Sequence, residues 1–217
     1  MLYNETPKWL QKIERQLPWL AIPNIASFLV GLQVIGFALV LSDPRWRYHL
    51  AIIPELVFQG ELWRLITFLA LPLSLSPFWM IFVLWFLYLI VDGIENSWGE
   101  FKTTFYLLIS VLLTICFSLA FMVPITYVGD LESTLFLAAA ALNPQFQVLL
   151  FLVVPVKIVW LAWLTAGFVL WRFITGSWLE RIYLLAIYSN YLIFFGAYHY
   201  RQVKQWHRRR KFRRQFR

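Results

Sequence analysis

Charge is scarce in this chain: 14% of its 217 residues are Asp, Glu, Lys or Arg, against roughly 25% in an average soluble domain. A soluble domain of this size would need more polar surface. Cysteine is nearly absent as well. Cys116 is the only one, inside an apolar run, which excludes an intrachain disulfide framework and argues against a Cys-based metal site. No metal or other cofactor is expected. Acid is missing where base is densest. Nine of the nineteen Lys and Arg residues lie in residues 201–217, a stretch with no Asp or Glu.

What is present is apolar and aromatic. The hydrophobic share is 61% and falls in long runs, the signature of membrane spans rather than of a large core. Twelve Trp, ten Tyr and twenty Phe suit the interfacial belts where amphipathic rings sit at headgroup level. Residues 1–21 form a short amphipathic segment with Trp9, Leu10, Ile13 and Leu17 near one face. The apolar run that follows lacks a small-residue cleavage site and is expected to stay as a first span.

The expected order is a span at 22–41, then a segment to residue 77 that is too polar to cross and too apolar to float in water. A partly embedded loop is the physical compromise, provided protein covers its backbone groups. A second span is expected at 78–91, closed by a charged turn at 92–100, and a third at 103–122. An Ala-rich helix at 131–142 is ~18 Å long at ~1.5 Å per residue, short of a ~30 Å hydrocarbon core. It is a fourth span if it sits inside the bundle; otherwise the two chain ends lie on opposite faces. Spans at 146–171 and 179–198 follow, then a basic tail at 199–217. With six spans and both ends inside, fourteen basic residues are cytoplasmic (Lys8, Lys12, Arg15, Lys102, Lys157 and the nine of the tail). Five are outside (Arg45, Arg47, Arg64, Arg172 and Arg181), as the positive-inside rule favours.

Several motifs recur in one order. Gln59-Gly60-Glu61-Leu62-Trp63-Arg64 precedes the second span, and Gly93-Ile94-Glu95 with Trp98-Gly99-Glu100 closes it. Asn143-Pro144 and Pro155-Val156-Lys157 open the fifth, and Asn190-Tyr191 lies in the sixth. Over residues 20–198 the chain resembles the rhomboid superfamily, including its non-proteolytic derlin-like members. The resemblance implies an all-α, six-helix membrane bundle with a large, partly embedded first loop. It also implies a scaffold that holds other transmembrane segments. The family's proteases carry a Gly-x-Ser-Gly serine at the fourth span and a histidine in the sixth, a nucleophile and its base. Here no serine is followed by glycine, and Asn190 is the nearest match to the histidine. An inactive, non-enzymatic member is expected.

The residues have physical roles independent of the family. Arg64, with five donors, can tie down carbonyls of a non-helical segment, and Trp63 can anchor it at the interface. Glu95 at a helix C-terminus opposes the macrodipole unless it pairs or caps a neighbour's N–H. Asn190 is expected on the inward face of the sixth helix against Ala138–Ala141, as helix–helix glue or as part of a partner site. Asp130 and Glu132 read as solvated turn residues, Ser133 as a helix N-cap, and Lys157 as a side chain snorkelling to headgroups from one turn into the fifth span. In the tail, Arg208, Arg209, Arg210, Lys211, Arg213 and Arg214 are expected to face anionic lipid, with nucleic acid the disfavoured reading. Partners are thus lipids and other transmembrane proteins. A small transporter or channel subunit, or a membrane enzyme with an unrecognised site, is the alternative. A bacterial inner membrane is the expected location, with an organellar membrane as the alternative.

Overall fold

A computed structural model describes residues 8–150 and 154–215. The first seven residues of the amphipathic segment, residues 151–153 of the expected fifth span and the last two of the tail lie outside the described residues. The amphipathic segment forms α1 (Lys8–Gln16), and a single 3-10 turn, Pro18–Leu20, leads to α2 (Ile25–Ser42). The polar-apolar segment after it folds as three short helices, α3 (Trp46–Leu50), α4 (Pro54–Phe58) and α5 (Arg64–Thr67), with a 3-10 turn at Phe68–Ala70. That turn presses on α2. A Cβ built on Gly36 would lie 1.7 Å from the Ala70 carbonyl oxygen, so only glycine permits this approach.

The second expected span continues further than its apolar run. Pro77 sits at the first helical position, where its missing N–H costs nothing, and α6 runs Pro77–Trp98. The expected turn at 92–100 is helical almost throughout. Asn96 Nδ2 donates to Asp92 Oδ2 at 2.9 Å, and Ser97 Oγ donates to the Gly93 carbonyl at 2.7 Å. Polar residues let a helix leave the bilayer without ending it. The chain turns at Gly99, whose φ of 94° is a glycine conformation. Helix α7 (Glu100–Phe121) returns antiparallel and stops at Met122 in the left-handed region.

The Ala-rich segment is α8 (Gly129–Leu142), 14 residues long, or ~21 Å. The expected fifth span starts late. In its place β1 (Gln147–Leu150) pairs antiparallel with β2 (Val154–Lys157), with Val148 opposite Val156. Pro155 has no N–H for a helix ladder and its ring would clash with the preceding turn, while Val148, Val154 and Val156 suit a strand. Helix α9 (Ile158–Thr175) begins only after it, with Lys157 at the N-cap position on β2 rather than inside a span. Finally α10 (Trp178–Gln215) is one 38-residue helix, so the stretch expected as a sixth span and the described part of the basic tail share a continuous helix.

Among the described residues, four segments are long and apolar enough to cross a membrane: Pro18–Ser42, Pro77–Trp98, Glu100–Phe121 and Ile158–Thr175. Helix α8 packs against α6, α7, α9 and α10, and Ala138–Ala141 are all buried. Four consecutive residues at ~100° steps sweep round most of a helix, so these alanines are not one small face. They lie on a helix with neighbours on several sides.

Polar contacts sort the bundle into two ends. At the basic end the Ile22 N–H donates to Thr104 Oγ1 (3.2 Å), the Asn24 N–H to Glu95 Oε1 (2.8 Å), and Asn143 Nδ2 to Ser97 Oγ (2.7 Å). Trp9 of α1 packs edge-on against Phe194 there. At the other, loop end, Ile52 and Ile125 exchange backbone hydrogen bonds of 3.1 and 2.9 Å. Arg172 of α9 there meets Asp130 of α8. Helix α8 therefore runs from the loop end to the basic end.

Candidate functional site

The residues singled out by sequence occupy three separate places. Arg64 is 1% exposed. Its Nη1 donates to the carbonyls of Tyr48 (2.6 Å), His49 (3.1 Å) and Ala51 (2.9 Å), and its Nε to Glu61 Oε2 (2.6 Å). The guanidinium also lies over the Tyr48 ring, 5.4 Å from its centre. One side chain thus gathers the end of α3 and the start of α5 into one unit. Trp63, next to it, is exposed and lines a loop-end cavity of about 450 Å³ with Trp46, His49 and Thr67. On the rim of that cavity, hydrogen bonds from Arg45 hold the Asp43 carboxyl below its usual range.

Glu95 lies at the opposite end, where it accepts the Asn24 N–H. It caps the entry to α2, an orphan donor of another helix, from the last turns of α6. Asn190 is wholly buried. Its Nδ2 donates to the Tyr106 carbonyl at 2.9 Å and to Ser110 Oγ at 2.6 Å, both on α7. Both hydrogen-bond partners are on α7, the third long helix, rather than on the alanines of α8. Arg208, Arg209, Arg210, Lys211, Arg213 and Arg214 lie on helical backbone, and their side chains are outside the described set.

A polar cluster of Asp130, Glu132 and Ser133, expected as solvated turn and cap residues, surrounds the first turn of α8. Asp130 is buried, and its Oδ1 accepts from Arg172 Nη1 at 2.6 Å, while Arg172 Nε donates to Glu180 Oε1 at 3.0 Å. Glu132 Oε1 accepts from Gln33 Nε2 at 3.2 Å, and the same nitrogen donates to the Leu69 carbonyl at 2.9 Å. Ser133 Oγ donates to the Asp130 carbonyl (2.7 Å) and shares a 2.5 Å hydrogen bond with the Tyr188 hydroxyl. The expected solvated turn residues are instead tied into the bundle. Ser133 is not an N-cap, since α8 begins at Gly129 and Val128 takes that position. The carboxylates also suit the positive end of the helix dipole. Burial, followed by the negative charges of Asp130 and Glu132, pushes the nearby Tyr127 phenol above its usual range.

This first turn is therefore fastened to α2 through Gln33, to α9 through Arg172 and to α10 through Tyr188. Arg172 and Glu180 flank the turn at Gly176 and Ser177. Their eight-residue spacing across a helix–helix turn was the available signal. Beside the cluster a cavity of about 350 Å³ runs between α6 and α9, lined by Phe82, Phe86, Leu161, Leu164 and Thr165, and it reaches Glu132 and Ser133. Its walls are apolar and its floor is polar.

These features define a membrane-embedded, mostly helical protein with a polar recess inside an apolar bundle. Comparisons with protein-family models, with curated proteins and with solved structures give no match.

Proposed function

We propose that the chain is a catalytically inactive, rhomboid-like membrane protein of six spans that binds other transmembrane segments. The observation that carries this reading is the cleft between α6 and α9, which leads from the lipid-facing side of the bundle to the polar first turn of α8. A partner helix of marginal hydrophobicity would lay its apolar face on Phe82, Phe86 and Leu164 and turn a polar residue toward Glu132 or Ser133. Helix α9 suits a movable wall. Only 6% of its spanning window is buried, so few packing contacts hold it in place.

Absence of protease chemistry is part of the proposal. Ser133 is bonded to a phenol and a carbonyl, and a phenol with a reference pKa of about 10 is a poor base at neutral pH. The family motifs at 59–64, 93–100 and 143–157 support the rhomboid-like reading, together with a short enclosed fourth helix.

The test uses a labelled single-span helix carrying one mid-span Asn, co-reconstituted with the full chain in proteoliposomes. Energy transfer should report association and fall when Leu164→Trp narrows the cleft. It should also fall when the mid-span Asn of the probe is replaced by Leu. Transfer unchanged by both substitutions overturns the cleft as the binding site. A serine-reactive fluorophosphonate should leave the protein unlabelled; labelling at Ser133 overturns the inactive reading.

A further inference from the structure

A second cavity lies on the other side of α9. It measures about 370 Å³, within the ~300–1,000 Å³ range of small-molecule pockets. Its walls are Leu137, Ala140 and Ala141 of α8 and Val159, Ala162 and Ala166 of α9. The stretches 137–144 and 159–166 each cover ~10 Å at 1.5 Å per residue, so the cavity is a slot along the helix axes. Pro144 and His199 lie where it nears the basic end.

The slot is apolar except at that end, where the Tyr191 hydroxyl and His199 Nε2 share a 2.6 Å hydrogen bond. Helix α10 continues unbroken from Tyr191 and His199 to Gln215, and the nine basic residues of 201–217, with no acid among them, begin two residues after His199. Lys204 is exposed. An apolar slot, a polar rim and a run of positive charge thus follow one another along one helix.

We propose that this slot holds one acyl chain of an anionic phospholipid from the leaflet at the basic end, with its headgroup over the start of the basic tail. The apolar walls suit a hydrocarbon chain and no polar ligand. The tail supplies charge complementarity for a phosphate, at the depth where headgroups begin. The slot also explains the buried alanines at 140 and 141: larger side chains would fill it. The proposal rests on the bilayer placement given above but not on helix binding, which uses the opposite side of α9.

Native mass spectrometry of the full chain, after exposure to equal phosphatidylglycerol and phosphatidylcholine and then delipidation, tests it. One phosphatidylglycerol per chain should be retained, several-fold over phosphatidylcholine. Ala162→Phe with Ala166→Phe should abolish retention while leaving probe-helix energy transfer intact. Arg201→Gln with Lys204→Gln should lower the headgroup preference. Equal retention of the two lipids, or retention unchanged when the slot is filled, overturns the proposal. A measurement on the unaltered chain guards against variants that fail to fold. Phosphatidylglycerol with a photoreactive acyl terminus should cross-link Val159, Ala162, Trp163, Ala166 and Tyr191, which line the slot. Labelling spread evenly over exposed residues such as Trp160, Phe168 and Leu192 means ordinary boundary lipid and also overturns it.

Discussion

Arg64 and Asn190 do similar work at different depths. Each is a buried polar side chain that bonds backbone or hydroxyl groups across a gap in the chain order. Removing Arg64 leaves the carbonyls of Tyr48, His49 and Ala51 without this donor, at ~1–3 kcal/mol for each that finds no water. Arg64→Ala should lower the thermal midpoint in detergent by several degrees. Arg64→Lys should be nearly as harmful, because an ammonium cannot reach three carbonyls and Glu61 with the geometry of a planar fork. A shift below a degree or two for both would mean the loop is solvated. Asn190→Leu removes two hydrogen bonds from the α7–α10 contact and adds bulk where Asn190 is fully enclosed, and should be destabilising by ~1–3 kcal/mol. Asn190→Ala should be milder. Its buried Oδ1 has no hydrogen-bond partner among the described residues, so truncation also removes an acceptor that they leave unmet. Equal midpoints for the two variants would contradict this ordering.

At the scale of elements, the structure turns on how closely backbones approach. Gly36→Ala should be costly, since its Cβ would strike the Ala70 carbonyl and force the 68–70 turn off α2; ~1–3 kcal/mol is the usual scale of overpacking. Gly31→Ala on the same helix meets nothing within 4 Å and should be tolerated. Similar losses for both would show that helix α2 itself, not the turn, is being perturbed. Such close approaches leave no mark in an apolar pattern. The long runs were legible because a bilayer demands ~20 apolar residues per helix: 78–91 falls inside α6, and all of 103–122 but Met122 falls inside α7. Their ends were not, because Asp92, Glu95 and Asn96 read as a turn although a helix emerging into water can carry them. The strand pair β1–β2 was missed for a related reason: a short apolar run of strand residues looks like the start of a span until Pro155 is weighed. The role of Arg64 was legible from its donors and its setting. The cluster of Asp130, Glu132 and Ser133 was not, because its partners Gln33, Arg172 and Tyr188 are brought in from three other helices.

At the scale of the molecule, the direction of α8 decides where the chain ends lie. Asp130 meets Arg172 at the loop end, and Asn143 meets Ser97 at the basic end. This short helix therefore connects the two ends although 14 residues reach only ~21 Å. In the six-span arrangement proposed above, α2, α6, α7, α8, α9 and the apolar half of α10 make an even number of passages, which would return the chain to the end where α1 sits. Lys12, Lys102 and Lys157 are on elements at that end, and the tail adds nine more basic residues. Under that proposal the positive-inside rule would make it the cytoplasmic face. Reporters that become active only after export, fused after Tyr3 and after Arg217, should both be silent, while one inserted after Gly60 in the loop should be active. One active and one silent terminus would mean that α8 turns back within the bilayer. The α8 polar turn would then be reached from the cytoplasm, and the cleft between α6 and α9 would no longer open to a helix arriving from the lipid.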